Sequence, residues 1–113
     1  MIVIQTTVGA EKNAKNLINL LLDTNKIACG TFHKIKSSYK WKGELVEDFE
    51  IEVSLYTKES LMKEVVDIVK QRHSYELPKI TVLEPVFTLP EYDKWVADST
   101  TSVSYTHLRA HET

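Results

Sequence analysis

Four histidines and one cysteine are the soft or borderline side chains in this sequence that could ligate a transition metal such as copper. His107 and His111 are four residues apart, a spacing that places two imidazoles on one face of a helix, where both can bind one metal ion. Cys29 has no second cysteine to pair with, and its thiolate would suit copper. His33 and His73 lie elsewhere along the chain. Metal binding is therefore the first chemistry to consider.

The histidine pair falls in a segment that does not read as part of a domain. Residues 103–113, VSYTHLRAHET, resemble a translated sequencing adapter, and eleven residues match in order. We therefore interpret residues 102–113 as a non-native, adapter-derived tail and leave them out of the fold prediction. The same interpretation removes His107 and His111 as evolved metal ligands. We expect one domain over residues 1–101.

Composition indicates a single domain without a membrane or nucleic-acid partner. The chain has 113 residues, with 14 Lys+Arg against 16 Asp+Glu, enough to bury a core of its own. No apolar run approaches the ~20 residues needed to cross a bilayer, and no basic cluster suggests nucleic acid. The N-terminal MIVIQTT does not resemble a secretory signal. Together with the single cysteine, this predicts a cytoplasmic protein.

Alternation of apolar and polar residues predicts the strands. Residues 2–7 and 27–41 read as extended segments, and the run from Phe49 to Leu55 alternates strictly. We expect its four apolar side chains to face the helices. Its acids, Glu50 and Glu52, are expected on the opposite face, either solvated or in salt bridges.

Helical periodicity and turn residues complete the fold prediction. One amphipathic helix runs from Ala10 to a left-handed cap at Asn25, and a second follows Thr57 as its cap. Lys42-Gly43 supplies a tight reversal, and a last strand and a short helix follow. The order predicts an α+β fold, a ferredoxin-like βαββαβ sandwich with a long β-hairpin and a short C-terminal helix.

The predicted hairpin is longer than two helices can cover. Its outer face carries Tyr39, Trp41 and Tyr56 among acidic residues. Aromatic side chains on a protruding ribbon with open edges indicate an interface with another subunit. We therefore assign these three aromatics to contacts between copies of the chain.

Several ordered motifs resemble the CutA divalent-cation-tolerance family over about residues 1–97. They are KIAC, YKWKGELVEDFEIEVSLYTK, HSYELPKITVLEPV and EYDKWV. The resemblance implies a ferredoxin-like homotrimer of the PII type, cytoplasmic, with no catalytic activity and no required cofactor. It implies a role in tolerance of, or response to, divalent metal ions, with copper(II) bound by some members.

The same resemblance implies that Cys29 and His73 are the metal ligands. Some copper-binding members carry a cysteine and a second histidine where this chain has Gln5 and Arg72, and neither replacement is a good copper ligand. Any copper site should therefore be weak or assembled between subunits. Cys29 could equally be a small apolar residue at a strand start, and His73 a helix-end imidazole interacting with nearby carbonyls.

A second function stays open. A PII-like signalling module would bind a small anionic ligand or nucleotide in clefts between subunits, with Lys58, Arg72, Tyr75 and Lys79 as cleft residues. Two other readings fit poorly: the TTVGAEK loop lacks the arginine that an acylphosphatase-like enzyme would need, and acidic central strands do not suit an RNA-recognition module.

Overall fold

The computed structural model describes residues 1–101, so the predicted tail and its pair His107 and His111 lie outside the described residues. The elements are β1 (Ile2–Val8), α1 (Glu11–Asp23), β2 (Cys29–Trp41), β3 (Glu44–Thr57), a 3₁₀ turn (Glu59–Leu61), α2 (Met62–Arg72), β4 (Ile80–Leu83) and α3 (Pro90–Asp98). The strands form an antiparallel sheet in the order β2-β3-β1-β4. The predicted α+β ferredoxin-like fold is confirmed.

Helices α1 and α2 cover one face of the sheet and enclose the core with it. Apolar residues at helical spacing supply the helix side of that core: Ala14, Leu17, Ile18, Leu21, Leu61, Val65 and Val69. The approach of α1 to β2 depends on Gly30, because a Cβ there would lie 2.7 Å from Cγ1 of Ile18. Within residues 1–101, α1 and α2 leave the other face of the sheet uncovered, and we call it the open face.

The hairpin of β2 and β3 is the longest feature of the fold. It pairs thirteen residues from Cys29↔Tyr56 to Trp41↔Glu44, a ladder of about 40 Å. Lys42 and Gly43 both have positive φ, 51° and 83°, as a two-residue hairpin turn requires, which confirms the predicted reversal.

Two predicted positions on this hairpin are wrong. Phe49 was expected in the core, but it lies beyond the reach of the helices and is 57% exposed. The Nζ atom of Lys34 lies 4.4 Å from the centroid of the Phe49 ring. Glu50 was expected to be solvated or in a salt bridge, but it is only 9% exposed and accepts a hydrogen bond from Ser37. The connection between α2 and β4 closes over it.

The helix ends also differ in part from prediction. Asn25 has φ 57°, so the left-handed end of α1 is confirmed. Thr57 does not cap the second helix, since its hydroxyl donates to the carbonyl oxygen of Lys26 at 2.6 Å. The 3₁₀ turn that precedes α2 has Lys58 at its N-terminal position and no side-chain cap.

Helix α3 packs near the end of the sheet where β3 finishes. Val96 is its buried residue, and the N–H of Thr101 donates to the carbonyl oxygen of Asn25 at 2.9 Å. Within residues 1–101, every helix is too short or too polar to cross a bilayer.

Candidate functional site

The two faces of the projecting hairpin carry opposite charge. Residues that pair directly share a face, so the register places one set of side chains on the open face of the sheet: Tyr39, Trp41, Glu44, Asp48, Glu50 and Glu52. The opposite face, beyond the helices, carries Lys34, Lys36, Lys40, Leu45, Glu47 and Phe49. The open face is therefore acidic and aromatic, and the opposite face is mainly basic and apolar.

A cleft of about 770 Å³ lies between the open face of the hairpin and the connection from α2 to β4. We call it the hairpin cleft. Aromatic rings from both sides line it, Tyr39 and Trp41 from β2 and Tyr75 from the connection. Its charged lining residues are Asp48, Glu50, Glu76 and Lys79. Three carboxylates thus face one ammonium group.

Glu50 lies at the buried end of this cleft. The hydroxyl of Ser37, on the neighbouring strand, donates a hydrogen bond to Oε2 of Glu50. Burial, followed by the negative charge of Glu50, raises the pKa of Tyr75 to about 12. The Tyr75 hydroxyl therefore keeps its proton beside the carboxylate at a pH where an ordinary tyrosine would ionise.

Both ring nitrogens of His73 are engaged within the chain. The Nδ1 atom accepts a hydrogen bond from the N–H of Tyr75 at 3.1 Å, so this nitrogen carries no proton. The Nε2 atom lies 2.7 Å from the carbonyl oxygen of Thr7 and must then be the donor. His73 thus holds the start of the α2–β4 connection against β1. A metal ion would have to replace one of these two hydrogen bonds.

Cys29 lies at the other end of the sheet. It is the first residue of β2 and is partly buried. It pairs with Tyr56 of β3, and Tyr56 pairs on its other side with Val3 of β1. Thr7, the partner of His73, is four positions further along β1 than Val3, a distance of about 13 Å along the strand. One chain therefore does not bring Cys29 and His73 together.

No three potential ligands of the His, Cys, Asp or Glu type come together anywhere in residues 1–101. The structure also brings only some of the other predicted site residues together. Tyr75 and Lys79 line the hairpin cleft, whereas Arg72 lines a smaller pocket of about 190 Å³ between α1 and α2. Lys58 is at the far end, where its Nζ donates to the carbonyl oxygen of Thr100 at 3.2 Å.

The predicted interface aromatics lie on the open face of the sheet. Tyr39 is 42% and Trp41 36% exposed, and Tyr56 is half-buried beside Cys29. Sequence reasoning did not foresee that Tyr39 and Trp41 also line a cleft within one chain. It also missed Asp48, Glu50 and Glu76 as members of that cleft. The prediction that Asp48 and Glu50 share the outer face of the hairpin with the aromatics is confirmed by the register. What the sequence pattern did not reveal is the connection from α2 to β4 that closes the cleft over them.

Comparison with known proteins identifies relatives along almost the whole described chain. The Thermotoga maritima divalent-cation tolerance protein CutA is 35% identical over 99 residues, which are 88% of this chain and 98% of that protein. A structure of the CutA from Archaeoglobus fulgidus, described as a periplasmic divalent cation tolerance protein, has a TM-score of 0.83 at 28% identity, covering 88% of this chain and 98% of the other.

The fold is also that of a protein described as PII-like. The apo structure of CutA from Nostoc sp. PCC 7120 has a TM-score of 0.83 at 24% identity, over 89% of this chain and 98% of the other. Residues 2–99 match the family of the CutA1 divalent ion tolerance protein. The chain belongs to this family.

Proposed function

We propose that this chain acts as a non-enzymatic homotrimer in tolerance of divalent cations and binds copper(II) weakly. The observation that carries the proposal is the family match over residues 2–99. The Thermotoga maritima relative, named for divalent-cation tolerance, supports the same role.

Exposed apolar surface and open strand edges support self-assembly. The outer edge of β2 and that of β4 pair with no strand in residues 1–101, and such edges are templates for pairing with another chain. The exposed large apolar side chains include Leu45 and Phe49 on the hairpin, and Val86, Phe87 and Leu89 after β4. Tyr39, Trp41 and Tyr56 add aromatic surface on the open face. Burial of these groups between copies would offset the cost of association.

The positions of the candidate ligands favour a copper site shared between subunits. One chain offers Cys29 at the open face, while His73 lies at the other end of β1 with both nitrogens engaged. Between them, the amide of Gln5 donates to the hydroxyl of Ser54 at 3.2 Å, and an amide is a poor copper ligand. Copper bound through Cys29 would therefore need groups from a second copy, and its affinity should be modest.

Calorimetry with copper(II) tests the metal role. The full chain also carries His107 and His111, so the titration uses the H107A/H111A double variant beside the unchanged protein. We expect saturable heat in both proteins. Cys29→Ser should weaken the affinity for copper(II) at least about tenfold, because it removes one of few ligands. Heat that disappears with the histidine pair alone would contradict the proposal, because the ion would then be bound by the tail.

The PII-like alternative predicts binding of a small anion such as ATP. The four residues predicted for its cleft do not gather in one chain, and the cleft that holds Tyr75 and Lys79 is lined by three carboxylates. Anion binding would therefore require a site built between copies. Heat with ATP and none with copper(II), in the same calorimeter, would favour this alternative over the metal role.

A cytoplasmic location is part of the proposal. It is supported by a single free cysteine, which is typical of a reducing compartment. The Archaeoglobus fulgidus relative is described as periplasmic, so cell fractionation is the test. Recovery of the protein with periplasmic markers would contradict this location.

A further inference from the structure

We propose that the pocket between α1 and α2 binds a small carboxylate that carries a short apolar tail. We call it the interhelix pocket. Its volume of about 190 Å³ is somewhat larger than the roughly 150 Å³ of a cavity that admits benzene, so a ligand of about six to eight non-hydrogen atoms fits it. The proposal does not depend on the copper role, because Cys29 is not among the residues that line this pocket.

The interhelix pocket lies on the side of the sheet that assembly leaves free. Val8 is its one lining residue from the sheet, and it belongs to β1, an inner strand with β3 on one side and β4 on the other. The surfaces assigned to contacts between copies are the open face, the edges of β2 and β4, the projecting hairpin and the segment after β4. None of them contributes a residue to this pocket.

Apolar side chains form one half of the pocket. Val8 and Leu17 are each 7% exposed, and Val69 is 1% exposed. Leu20, one helical turn after Leu17 on α1, is half-buried and also lines the pocket. A short alkyl chain in contact with these residues would be removed from water, which favours binding.

Hydrogen-bond donors form the other half, and their charge selects an anion. Arg72 contributes a guanidinium group, Asn13 and Asn16 contribute amides, and Ser74 contributes a hydroxyl. Both ring nitrogens of His73, the remaining lining residue, are engaged within the chain. No acidic residue lines the pocket.

Arg72 is available to a ligand. Within residues 1–101, its guanidinium group forms no ion pair with a carboxylate of the chain. A guanidinium group can donate two parallel hydrogen bonds to one carboxylate. A ligand carboxylate would therefore supply the partner that the chain does not, and an ammonium group would be repelled. The pocket is too small for a nucleotide, so this site differs from that of the PII-like alternative.

Asparagine side chains can report on the pocket. The chain has four asparagines; Asn13 and Asn16 line the pocket, whereas Asn19 and Asn25 do not. The full chain is labelled with ¹⁵N-asparagine, and the side-chain amide signals are followed by two-dimensional NMR. The probes are pentanoate, pentanamide as a neutral compound of the same shape, pentylamine as a cation, acetate as a carboxylate without the tail, and ATP as a large anion.

We expect pentanoate to shift the amide signals of Asn13 and Asn16 saturably, with Kd at or below about 3 mM. The signals of Asn19 and Asn25 should stay nearly unchanged. Pentanamide and acetate should each bind at least about fivefold more weakly, because the first lacks the charge and the second lacks the tail. Pentylamine should not bind, and ATP should not compete.

A pair of charge variants tests the role of Arg72. Arg72→Gln should weaken pentanoate binding about five- to twentyfold, because the carboxylate loses its charged donor. The matched control is Lys70→Gln, which removes the same charge from the same helix outside the pocket lining and should change binding less than about twofold. Both residues are exposed, so neither variant should disturb folding, and circular dichroism checks this.

The proposal is overturned if pentanoate gives no saturable shift at Asn13 and Asn16, or if Asn19 and Asn25 shift as much. Pentanamide binding as tightly as pentanoate would overturn it too, because the charge would then have no role. Equal weakening by Arg72→Gln and Lys70→Gln would mean that binding follows net charge alone. Competition by ATP would also contradict the proposal, since a nucleotide does not fit this pocket.

Discussion

Gly30 is the position where added volume should damage the fold most directly. It lies on β2 beneath helix α1, and a Cβ at this residue would be 2.7, 2.8 and 3.0 Å from three side-chain carbons of Ile18. Ile18 is 6% exposed and β-branched, so its χ1 on a helix has one strongly preferred rotamer. Relief therefore requires α1 to move away from the sheet.

We expect Gly30→Ala to lower the free energy of unfolding by about 1–3 kcal/mol, the usual cost of overpacking a core. Thermal unfolding followed by circular dichroism should show a decrease in Tm of roughly 4–8 °C for each kcal/mol. All variants are compared at one protein concentration, because association adds to the stability of an oligomer.

Gly9→Ala is the matched control. The nearest atoms to a Cβ at Gly9 are the hydroxyl oxygen and a ring carbon of Tyr75, at 3.6 and 3.8 Å, which are ordinary contacts. This variant should be unchanged or more stable by about 0.4–1 kcal/mol, since alanine restricts the unfolded chain. In Gly30→Ala this restriction of the unfolded chain should be too small to offset the clash with Ile18.

A double-mutant cycle locates the cause of the Gly30 effect. Ile18→Ala removes all three of the close carbons and should cost about 2–5 kcal/mol by itself. In that background Gly30→Ala should cost close to nothing, so the coupling energy should approach the full cost of the single change. A Gly30→Ala protein as stable as the unchanged chain, or an equal cost in both backgrounds, would refute the reasoning.

Two further predictions concern the hairpin and its cleft. The Tyr75 hydroxyl should ionise at about pH 12. Its ionisation is measured as an increase in absorbance at 295 nm that is missing in Tyr75→Phe. Because the folded state raises the pKa of Tyr75, the contribution of this group to the free energy of unfolding is present below pH 10 and is lost as the pH rises towards 12. Glu50→Gln should lower that midpoint, and a Tyr75 step near pH 10 in the unchanged protein would contradict the cleft electrostatics. At the turn, Gly43→Ala should lower the free energy of unfolding by about 1–2 kcal/mol in chemical denaturation, because φ of Gly43 is 83°. Lys42→Gly is the control and should not lower it, since Lys42 already has a φ of 51°. A Gly43→Ala protein as stable as the unchanged chain would argue against this turn geometry.

Local patterns were sufficient to predict the main elements of the fold. The alternation around Ile51, Val53 and Leu55 marks a half-buried strand, and all three are buried. Lys42-Gly43 has the chemistry of a two-residue turn, and both residues take positive φ. These features depend on residues near one another in sequence, which is where pattern reasoning is strongest.

The wrong predictions arise from contacts between distant residues. Phe49 continues the alternation of its strand, but whether a helix covers it depends on the lengths of α1 and α2 relative to the hairpin. Thr57 has the chemistry of a cap, yet the carbonyl of Lys26, 31 positions earlier, is its partner. Glu50 is buried because residues 74–79 fold back over it, and periodicity does not report that.

The candidate site was less predictable than the fold for the same reason. Cys29 and His73 match family motifs, but only the sheet register shows that they lie towards opposite ends of the sheet. The two hydrogen bonds of His73 join it to Thr7 and Tyr75. Of these, only the Tyr75 contact is local in sequence.

The central claim is that copies of this chain assemble in threes to cover the open sheet face and strand edges. Light scattering coupled to size-exclusion chromatography of the full chain measures this directly. We predict a mass of about 39 kDa, three times the chain mass of 13.0 kDa, that holds on dilution to low micromolar concentration. A particle of 13.0 kDa at all concentrations would contradict the claim, since the exposed hairpin and edges would then be stable without a partner.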